Sequence, residues 1–404
     1  MPLQAGRRGA DMQNSNTLGR RWLIQASLLL VLAAIATVGA VPAVAQEQPL
    51  KVGVVASITG GTADINNSEL NGLKLYLEKI GGTAGGRDLK LLIEDDAGDP
   101  GTGLAKVRKL VELDKVDVIV GPFLAHVVAA TQDYIGSSGI PNIVMVGQPP
   151  ENVRHPNVFV PSWNAVQLGK LMGEYAFAKL GHKTANIVSS KYGFGIRVSE
   201  GFKSGFTSAG GAIKSELFIP LGTADWLSFL AGLPSADTVL SAIPGGDAIK
   251  YVRARADLGQ TKSMPLTGVI STVDGVLLPS MGSAADGAIV ITHYLETLSI
   301  PQNKQFVADY KAKYGSAPSG YYEALGYTIG QVIGESLKQT NGKSEAGQLI
   351  QAIRKVDFDS PQGRFRFAAG KQFPLLDFYF VKVVPDGNKR GYEILDVRRD
   401  VAPD

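Results

Sequence analysis

The chain contains no cysteine among its 404 residues. Disulfide bridges, thiolate metal sites and thiol nucleophiles are therefore excluded, and the fold must be stabilised by its hydrophobic cores. Charged side chains are also sparse, at 19% of the sequence, with 40 basic and 37 acidic residues. Since no dense run of Lys or Arg occurs, the composition argues against nucleic acid or an anionic membrane as a partner.

Motifs of common catalytic and nucleotide-binding sites are missing as well. Gly193-Phe194-Gly195 is followed by Val198 at the position where a dinucleotide-binding fingerprint has its third glycine. No phosphate-binding loop, no H-E-x-x-H and no G-x-S-x-G motif occurs. We therefore predict no catalytic residue, no metal site and no cofactor. The four histidines are dispersed without metal-ligand spacing: His126, His155, His182 and His293.

The N-terminal stretch has the features of an export signal. Arg20-Arg21 precedes an uncharged run over residues 22–44, and Ala43-Val44-Ala45 fits the small-x-small pattern of a signal-peptidase site. We predict a signal peptide over residues 1–45, with cleavage between Ala45 and Gln46. An uncleaved membrane anchor, twin-arginine export and a start at Met12 are the alternatives. The removed stretch carries four arginines and one aspartate, so the remaining chain is formally neutral.

Short β-branched runs alternate with amphipathic helical patterns from Leu50 onward. This alternation predicts parallel sheets covered by crossover helices. Asn66 is predicted to cap the helix that follows the first strand, and a later strand is predicted over residues 142–146. The pattern restarts near Leu168, which indicates a second lobe of similar architecture, and it ends in a predicted hairpin around residues 385–388.

Several stretches in this order and spacing resemble a known family. They are residues 51–55 with Thr59-Gly60-Gly61, residues 94–100, residues 118–122, residues 139–141, and Phe202-Lys203 leading to residues 209–211. The chain resembles, over residues 49–400, the periplasmic substrate-binding proteins of ABC importers, of the leucine/isoleucine/valine-binding type.

The resemblance implies an α/β fold of two doubly wound parallel-sheet lobes joined by three crossovers, the type I periplasmic binding protein fold. Crossovers are expected near residues 159–163, 291–294 and 363–367. After the signal peptide, lobe 1 is expected to cover residues 46–162 and 293–362, and lobe 2 residues 163–292 and 363–404. The resemblance also implies a monomer in the periplasm that holds a small organic solute and meets an inner-membrane ABC permease.

Four positions depart from the pattern of amino-acid-binding relatives. Ala125 replaces a serine, Gln148 lies near the place of a threonine or serine, and Ile65 replaces an aromatic residue. Ile270 falls where those relatives carry the acid that receives the α-ammonium. A buried ammonium without such a partner costs several kcal/mol. The sequence therefore predicts a small apolar or aromatic carboxylate as ligand, with its anion at the amides around Ala125 and His126.

The predicted ligand-binding residues come from loops of both lobes and from the crossovers. They are Ile65, Phe123, Leu124, Ala125, His126, Val146, Gly147, Gln148, Trp163, Tyr192, Phe194, Pro244, Gly245, Ile270 and Tyr294. His126 could instead cap its helix, and Pro244-Gly245 could form a simple turn. Alternative functions are binding of a branched-chain amino acid or amide, and ligand sensing for a regulator. A hydrolase on the same scaffold has the least support.

Overall fold

The computed structural model describes residues 48–403 of the chain. Strands and helices alternate from Leu50 onward, as the sequence pattern predicts, and they form two sheets. The predicted signal peptide over residues 1–45 and its cleavage site lie outside the described residues. Within the described part, no helix is both long enough and apolar enough to cross a lipid bilayer.

The first sheet has six strands. They are β1 (Leu50–Ala56), β2 (Thr83–Ala84), β3 (Arg87–Asp95), β4 (Val118–Val120), β5 (Asn142–Ile143) and β6 (Val158–Phe159). Their order is β2-β3-β1-β4-β5-β6. Because β1 pairs in parallel with both β3 and β4, the strand order reverses beside β1. Ligands of doubly wound sheets bind at such a reversal, outside the carboxyl ends of the strands. The loops after β1 and β4 therefore lie where a ligand is expected.

Three helices follow strands of this sheet: α1 (Ala63–Lys79), α2 (Pro100–Arg108) and α3 (Ala125–Ser138). The apolar stripe of α1 is buried, with Leu70 and Leu73 no more than 3% exposed. The prediction that Asn66 caps α1 is wrong, because the helix begins earlier, at Ala63. Asn66 lies inside α1, where its side-chain oxygen accepts a hydrogen bond of 3.1 Å from the Ser57 N–H. It thereby ties the loop after β1 to the helix.

A second parallel array follows. Its strands are β7 (Thr184–Ser190), β8 (Ala212–Ile219), β9 (Thr238–Ala242), β10 (Leu266–Val269) and β11 (Ile289–Thr292). Its helices are α4 (Ala165–Ala178), α5 (Gly193–Ser208), α6 (Leu227–Ala231), α7 (Gly245–Asp257), α8 (Gln260–Ser263) and α9 (Leu278–Met281). The strand order is β11-β10-β9-β7-β8, which again is doubly wound. We refer to the two sheets with their helices as lobe 1 and lobe 2.

After β11 the chain returns to the helices of lobe 1. This return comprises α10 (Pro301–Tyr314), α11 (Tyr321–Gln339) and α12 (Ala346–Arg354). α11 and α1 touch backbone to backbone, because a Cβ added at Gly326 would lie 1.8 Å from the Glu69 carbonyl oxygen. A Cβ at Gly72 would likewise lie 1.9 Å from the carbonyl oxygen of Glu323. Glycine at these two positions permits this close approach.

Four antiparallel strands complete the second sheet: β12 (Asp357–Ser360), β13 (Gly363–Phe367), β14 (Pro374–Asp386) and β15 (Lys389–Val401). β14 pairs with β11 and with β15, so the predicted terminal hairpin is confirmed. The fold of two doubly wound lobes joined by three crossovers is also confirmed. β12 already pairs with β13, so the chain joins this sheet earlier than the predicted limit at residue 363. The predicted lobe limits stay predictions.

Candidate ligand-binding site

A pocket lies at the carboxyl ends of β10 and β11, beside the starts of α4 and α11. Its cavity volume is about 20 Å³. A cavity of this volume holds about one water molecule, far less than the roughly 300 Å³ of an open small-molecule pocket. The space between these side chains is therefore nearly closed. Its lining residues are Trp163, Leu168, Phe194, Val269, Ile270, Ser271, Ile291, Thr292, His293 and Tyr321.

Aromatic rings form the wall of this pocket. The centre of the Trp163 ring lies 5.5 Å from that of Phe194, 5.9 Å from His293 and 6.0 Å from Tyr321. His293 and Tyr321 are edge to face, with their centres 5.0 Å apart. These separations and tilts are favourable for aromatic pairs. Since Trp163 follows β6 of lobe 1 and Phe194 starts α5 of lobe 2, the wall joins both lobes.

Three polar atoms belong to residues of this wall. Trp163 Nε1, Ser271 Oγ and His293 Nε2 are buried, and no described residue forms a hydrogen bond with any of them. Burial lowers the pKa of His293 to about 3, so its imidazole is neutral at physiological pH. None of the lining side chains is therefore charged at neutral pH.

The start of α3 presents backbone N–H groups from lobe 1. The N–H groups of Val127 and Val128 donate to the Leu124 carbonyl. The N–H groups of Ala125 and His126 come earlier in the helix and have no acceptor within it. The His126 side chain is exposed, and its Nε2 lies 2.9 Å from the carbonyl oxygen of Gly98. His126 thus holds two loops of lobe 1 together, and a contact with ligand stays a prediction.

The side-chain amide of Gln148 forms hydrogen bonds within lobe 1 through both its nitrogen and its oxygen. Its Nε2 donates to the carbonyl of Phe123 at 2.8 Å, and its Oε1 accepts from Asn152 Nδ2 at 3.3 Å. Asn152 also donates to the Ala125 carbonyl at 2.9 Å. Gln148 is 1% exposed, so these bonds fix the loop after β4 against the loop after β5. Its role toward the ligand stays a prediction.

The loop after β5 has an unusual backbone. Val146 adopts a φ of 49°, which is strained for a β-branched residue, and its N–H donates to Glu69 Oε1 at 3.2 Å. The next residue, Gly147, lies against Trp163, because a Cβ there would be 2.8 Å from Cε3 of the indole ring. The bend at Val146 thus places this loop of lobe 1 against the pocket wall.

The remaining predicted residues have varied surroundings. Tyr192 packs on Phe194, with ring centres 6.1 Å apart, and burial raises the pKa of its phenol. Ile65 is half-buried against the core. Pro244 and Gly245 start α7 and are not among the pocket-lining residues. Tyr294 is buried and donates its O–H to Asn303 Oδ1 at 2.9 Å, and its contact with ligand stays a prediction.

A family model described as periplasmic binding protein matches residues 49–389 of this chain. The chain belongs to the periplasmic binding protein family.

Similar proteins support the same assignment. This periplasmic binding protein is 25% identical to a Leu/Ile/Val-binding protein homolog of Brucella melitensis, with 83% of this chain and 87% of the relative covered. A solved ABC transporter substrate-binding protein from Sphaerobacter thermophilus is 29% identical, with a TM-score of 0.83, and 88% and 99% of the two chains are covered. A solute-binding protein of an ABC transporter from Rhodopseudomonas palustris BisB5, solved with 3,4-dihydroxybenzoic acid, is 29% identical, with a TM-score of 0.80 and coverage of 87% and 98%.

Some pocket residues of this periplasmic binding protein were missed by the sequence analysis. Trp163, Phe194 and Ile270 were predicted, and the structure brings them together. Ser271 and His293 were not predicted, although each lies within two residues of the carboxyl end of β10 or β11. The rule that ligands bind at strand ends could have found both residues. Tyr321 had no comparable signal, because it reaches the pocket only through the return of α11.

Proposed function

We propose that this protein captures a small aromatic or apolar carboxylate between its lobes in the periplasm, after removal of residues 1–45. We further propose that it delivers this solute, without turnover, to the inner-membrane permease of an ABC importer. The observation that carries the ligand class is the pocket wall of Trp163, Phe194, Ile270 and Tyr321, which is apolar and aromatic and bears no charge. Such a wall favours a flat hydrophobic body over a zwitterion.

The carboxylate of the ligand needs donors, and lobe 1 supplies them. The N–H groups of Ala125 and His126 stand at the N-terminus of α3, which carries a partial positive charge. Gln148 and Asn152 brace the carbonyls of Phe123 and Ala125 beside them. A preorganised pair of amides can bind an anion without a basic side chain. The similar protein of Rhodopseudomonas palustris, solved with an aromatic acid, supports this ligand class.

Binding of a branched-chain amino acid is the competing candidate, since the Brucella relative is a Leu/Ile/Val-binding protein homolog. An α-ammonium would need a carboxylate inside the pocket. Ile270 lines the pocket at the position expected for that acid, and Asp274, four residues later, is not among the lining residues. The pocket therefore favours an acid without an amino group.

A ligand panel tests this proposal. The mature protein is unfolded and refolded to remove any solute that co-purifies, and calorimetry then measures benzoates, phenylpropenoates, branched aliphatic acids, amides and leucine. We expect one-to-one binding of at least one aromatic or aliphatic acid and no response to leucine. Tight binding of leucine with no response to any of these acids would contradict the proposal.

A substitution in the pocket sharpens the test. Ile270→Asp places a carboxylate in the aromatic wall, so we expect the affinity for the acid to fall about 100-fold, or about 2.7 kcal/mol. Ile394→Asp is the control, because Ile394 is 44% exposed on β15. It should leave the affinity unchanged. Equal affinities of both variants would show that the acid binds elsewhere.

A further inference from the structure

The pocket contains more unpaired hydrogen-bonding capacity than an apolar ligand can satisfy. Trp163 Nε1, Ser271 Oγ and His293 Nε2 are buried without a partner among the described residues, and all three residues line one pocket. A single such atom is weak evidence, since Trp226 Nε1 is also unpaired, away from this pocket. Three in one small pocket are different, because each buried unsatisfied group costs about 1–3 kcal/mol.

We propose that Trp163, Ser271 and His293 form a specificity site that recognises a neutral oxygen substituent, a ring hydroxyl, on the captured aromatic acid. This inference rests on the proposed function. It assigns the hydroxyl to the pocket at the ends of β10 and β11, and the carboxylate to the start of α3 in lobe 1.

The donor and acceptor chemistry of the three groups fits a hydroxyl. The indole N–H of Trp163 only donates, so the ligand must present an acceptor oxygen there. The Ser271 hydroxyl can donate or accept, and the neutral imidazole of His293 can do either at Nε2, according to its tautomer. A hydroxyl oxygen can accept from Trp163 while its proton is donated to His293 or Ser271. A methyl group of similar size would leave all three groups unsatisfied.

The electrostatic surroundings favour a neutral group over the carboxylate in this pocket. Burial raises the pKa of Tyr321 well above its ordinary value, and the charge of Asp274 raises it further. Burial also raises the pKa of Asp274 to about 6, and the charges of Glu296 and Glu323 add to that rise. No Lys or Arg is among the lining residues. An anion beside Tyr321 would therefore be repelled, whereas a hydroxyl would not.

The test compares matched ligands. Calorimetry on the refolded mature protein measures benzoate, 3- and 4-hydroxybenzoate, and 3- and 4-methylbenzoate. We expect at least one hydroxybenzoate to bind 10-fold or more tightly than both benzoate and the methylbenzoate substituted at the same position. Absence of this preference, with benzoate still bound, overturns the specificity site alone. Absence of binding by every aromatic and aliphatic acid overturns the proposed function itself.

Variants connect the preference to the residues. Trp163→Phe removes the indole N–H and Ser271→Ala the hydroxyl, and either change should reduce the ratio of hydroxybenzoate to methylbenzoate affinity at least threefold. Trp226→Phe and Ser190→Ala are matched controls, because they remove buried, unpaired groups of the same kind outside the pocket. They should leave the ratio unchanged. A ratio that persists in both pocket variants, or that falls equally in the controls, overturns the assignment.

Discussion

Glu69 is a buried acid that connects α1 to the loop after β5. It is fully buried in α1, its Oε1 accepts from the Val146 N–H, and no described residue bonds to its Oε2. Burial raises its pKa well above the model-peptide value of 4.5, and the charge of Glu323 adds to this rise. The side chain is therefore held as a neutral acid, which can keep the strained Val146 in place.

Replacing Glu69 with Gln should change how stability depends on pH. In the unfolded chain this carboxyl loses its proton above about pH 4.5, whereas the folded protein retains it. The contribution of Glu69 to the free energy of unfolding is therefore fully present below that pH. It is lost as the pH rises toward the folded pKa, by at most about 1.4 kcal/mol per pH unit. Glu69→Gln keeps the acceptor and cannot ionise. Measured by urea unfolding, the free energy of unfolding of Glu69→Gln minus that of the wild type should therefore be higher at pH 8 than at pH 5.

The matched control for this prediction is Glu78→Gln. Glu78 is a surface residue of the same helix, paired with Lys313, and its side chain is 63% exposed. Its effect on the free energy of unfolding should be small and equal at both pH values. If Glu69→Gln showed the same difference at pH 5 and pH 8, a neutral Glu69 would be ruled out.

Individual pocket residues were predictable only where a family pattern or a strand end marked them. Ile270 was found because an acid was expected at its position. Gln148 and His126 have polar side chains in the right loops, yet the structure uses both to hold loops of lobe 1 together. Sequence cannot distinguish these roles, because the partners are backbone carbonyls, and every residue has one.

At the scale of elements, glycine sets how closely the paired helices approach. Gly72 of α1 and Gly326 of α11 allow backbone contact in lobe 1. In lobe 2, a Cβ added at Gly169 of α4 would lie 1.9 Å from the carbonyl oxygen of Val198 of α5. Interiors this closely packed have no room for an extra carbon. Each lobe thus contains one helix pair that cannot accept a methyl group at its contact.

Gly326→Ala tests this packing. The added methyl group would overlap the Glu69 carbonyl, so we expect a loss of about 1–3 kcal/mol in the free energy of unfolding. Gly347→Ala in α12 is the control, because nothing lies within 4 Å of a Cβ there. That change should be neutral or stabilising by up to about 1 kcal/mol through helix propensity. Urea unfolding measures both, and equal effects would contradict the packing argument.

The elements themselves were largely predictable, and the exceptions lie near the site. The alternation of strands and helices is confirmed, as is the terminal hairpin. The strand predicted over residues 142–146 is shorter, since β5 ends at Ile143. Val146 has the left-handed backbone that ends extended structure. A run of β-branched residues favours a strand, and the sequence does not reveal the tertiary bond to Glu69 that holds the turn at Val146.

At the scale of the whole molecule, an ion pair connects the two lobes. Glu151, between β5 and β6 of lobe 1, accepts from Arg197 of α5 in lobe 2. Arg197 also lies 3.4 Å from Glu200 of its own helix. Both Glu151 and Arg197 are about half exposed, so the pair contributes little energy and is screened by salt. It stabilises the contact between lobes near Tyr192 and Phe194, where α5 begins.

Glu151→Gln should therefore accelerate release of the ligand. Loss of an exposed pair worth up to about 1 kcal/mol predicts a dissociation rate up to about fivefold faster at low salt. The difference should vanish near 1 M NaCl, where the Debye length is about 3 Å. Stopped-flow fluorescence measures both rates.

Glu216→Gln is the control for this measurement. It removes an exposed ion pair of 2.5 Å with Lys203 that lies within lobe 2. The dissociation rate should not change in this variant. An acceleration by Glu151→Gln that is independent of salt would exclude an electrostatic contact between the lobes.

The division of the pocket between Trp163, Phe194, Ile270 and Tyr321 has a consequence for the lifetime of the protein. Because these residues come from distant parts of the chain, unfolding of either lobe would dismantle the pocket, and a bound solute therefore stabilises both lobes. A solute at 100 times its dissociation constant adds about 2.7 kcal/mol to the free energy of unfolding. Proteases act on the unfolded or opened chain, and this stabilisation lowers the population of that form about 100-fold. The loaded carrier therefore outlasts the empty one, and its abundance depends on the supply of the solute it collects.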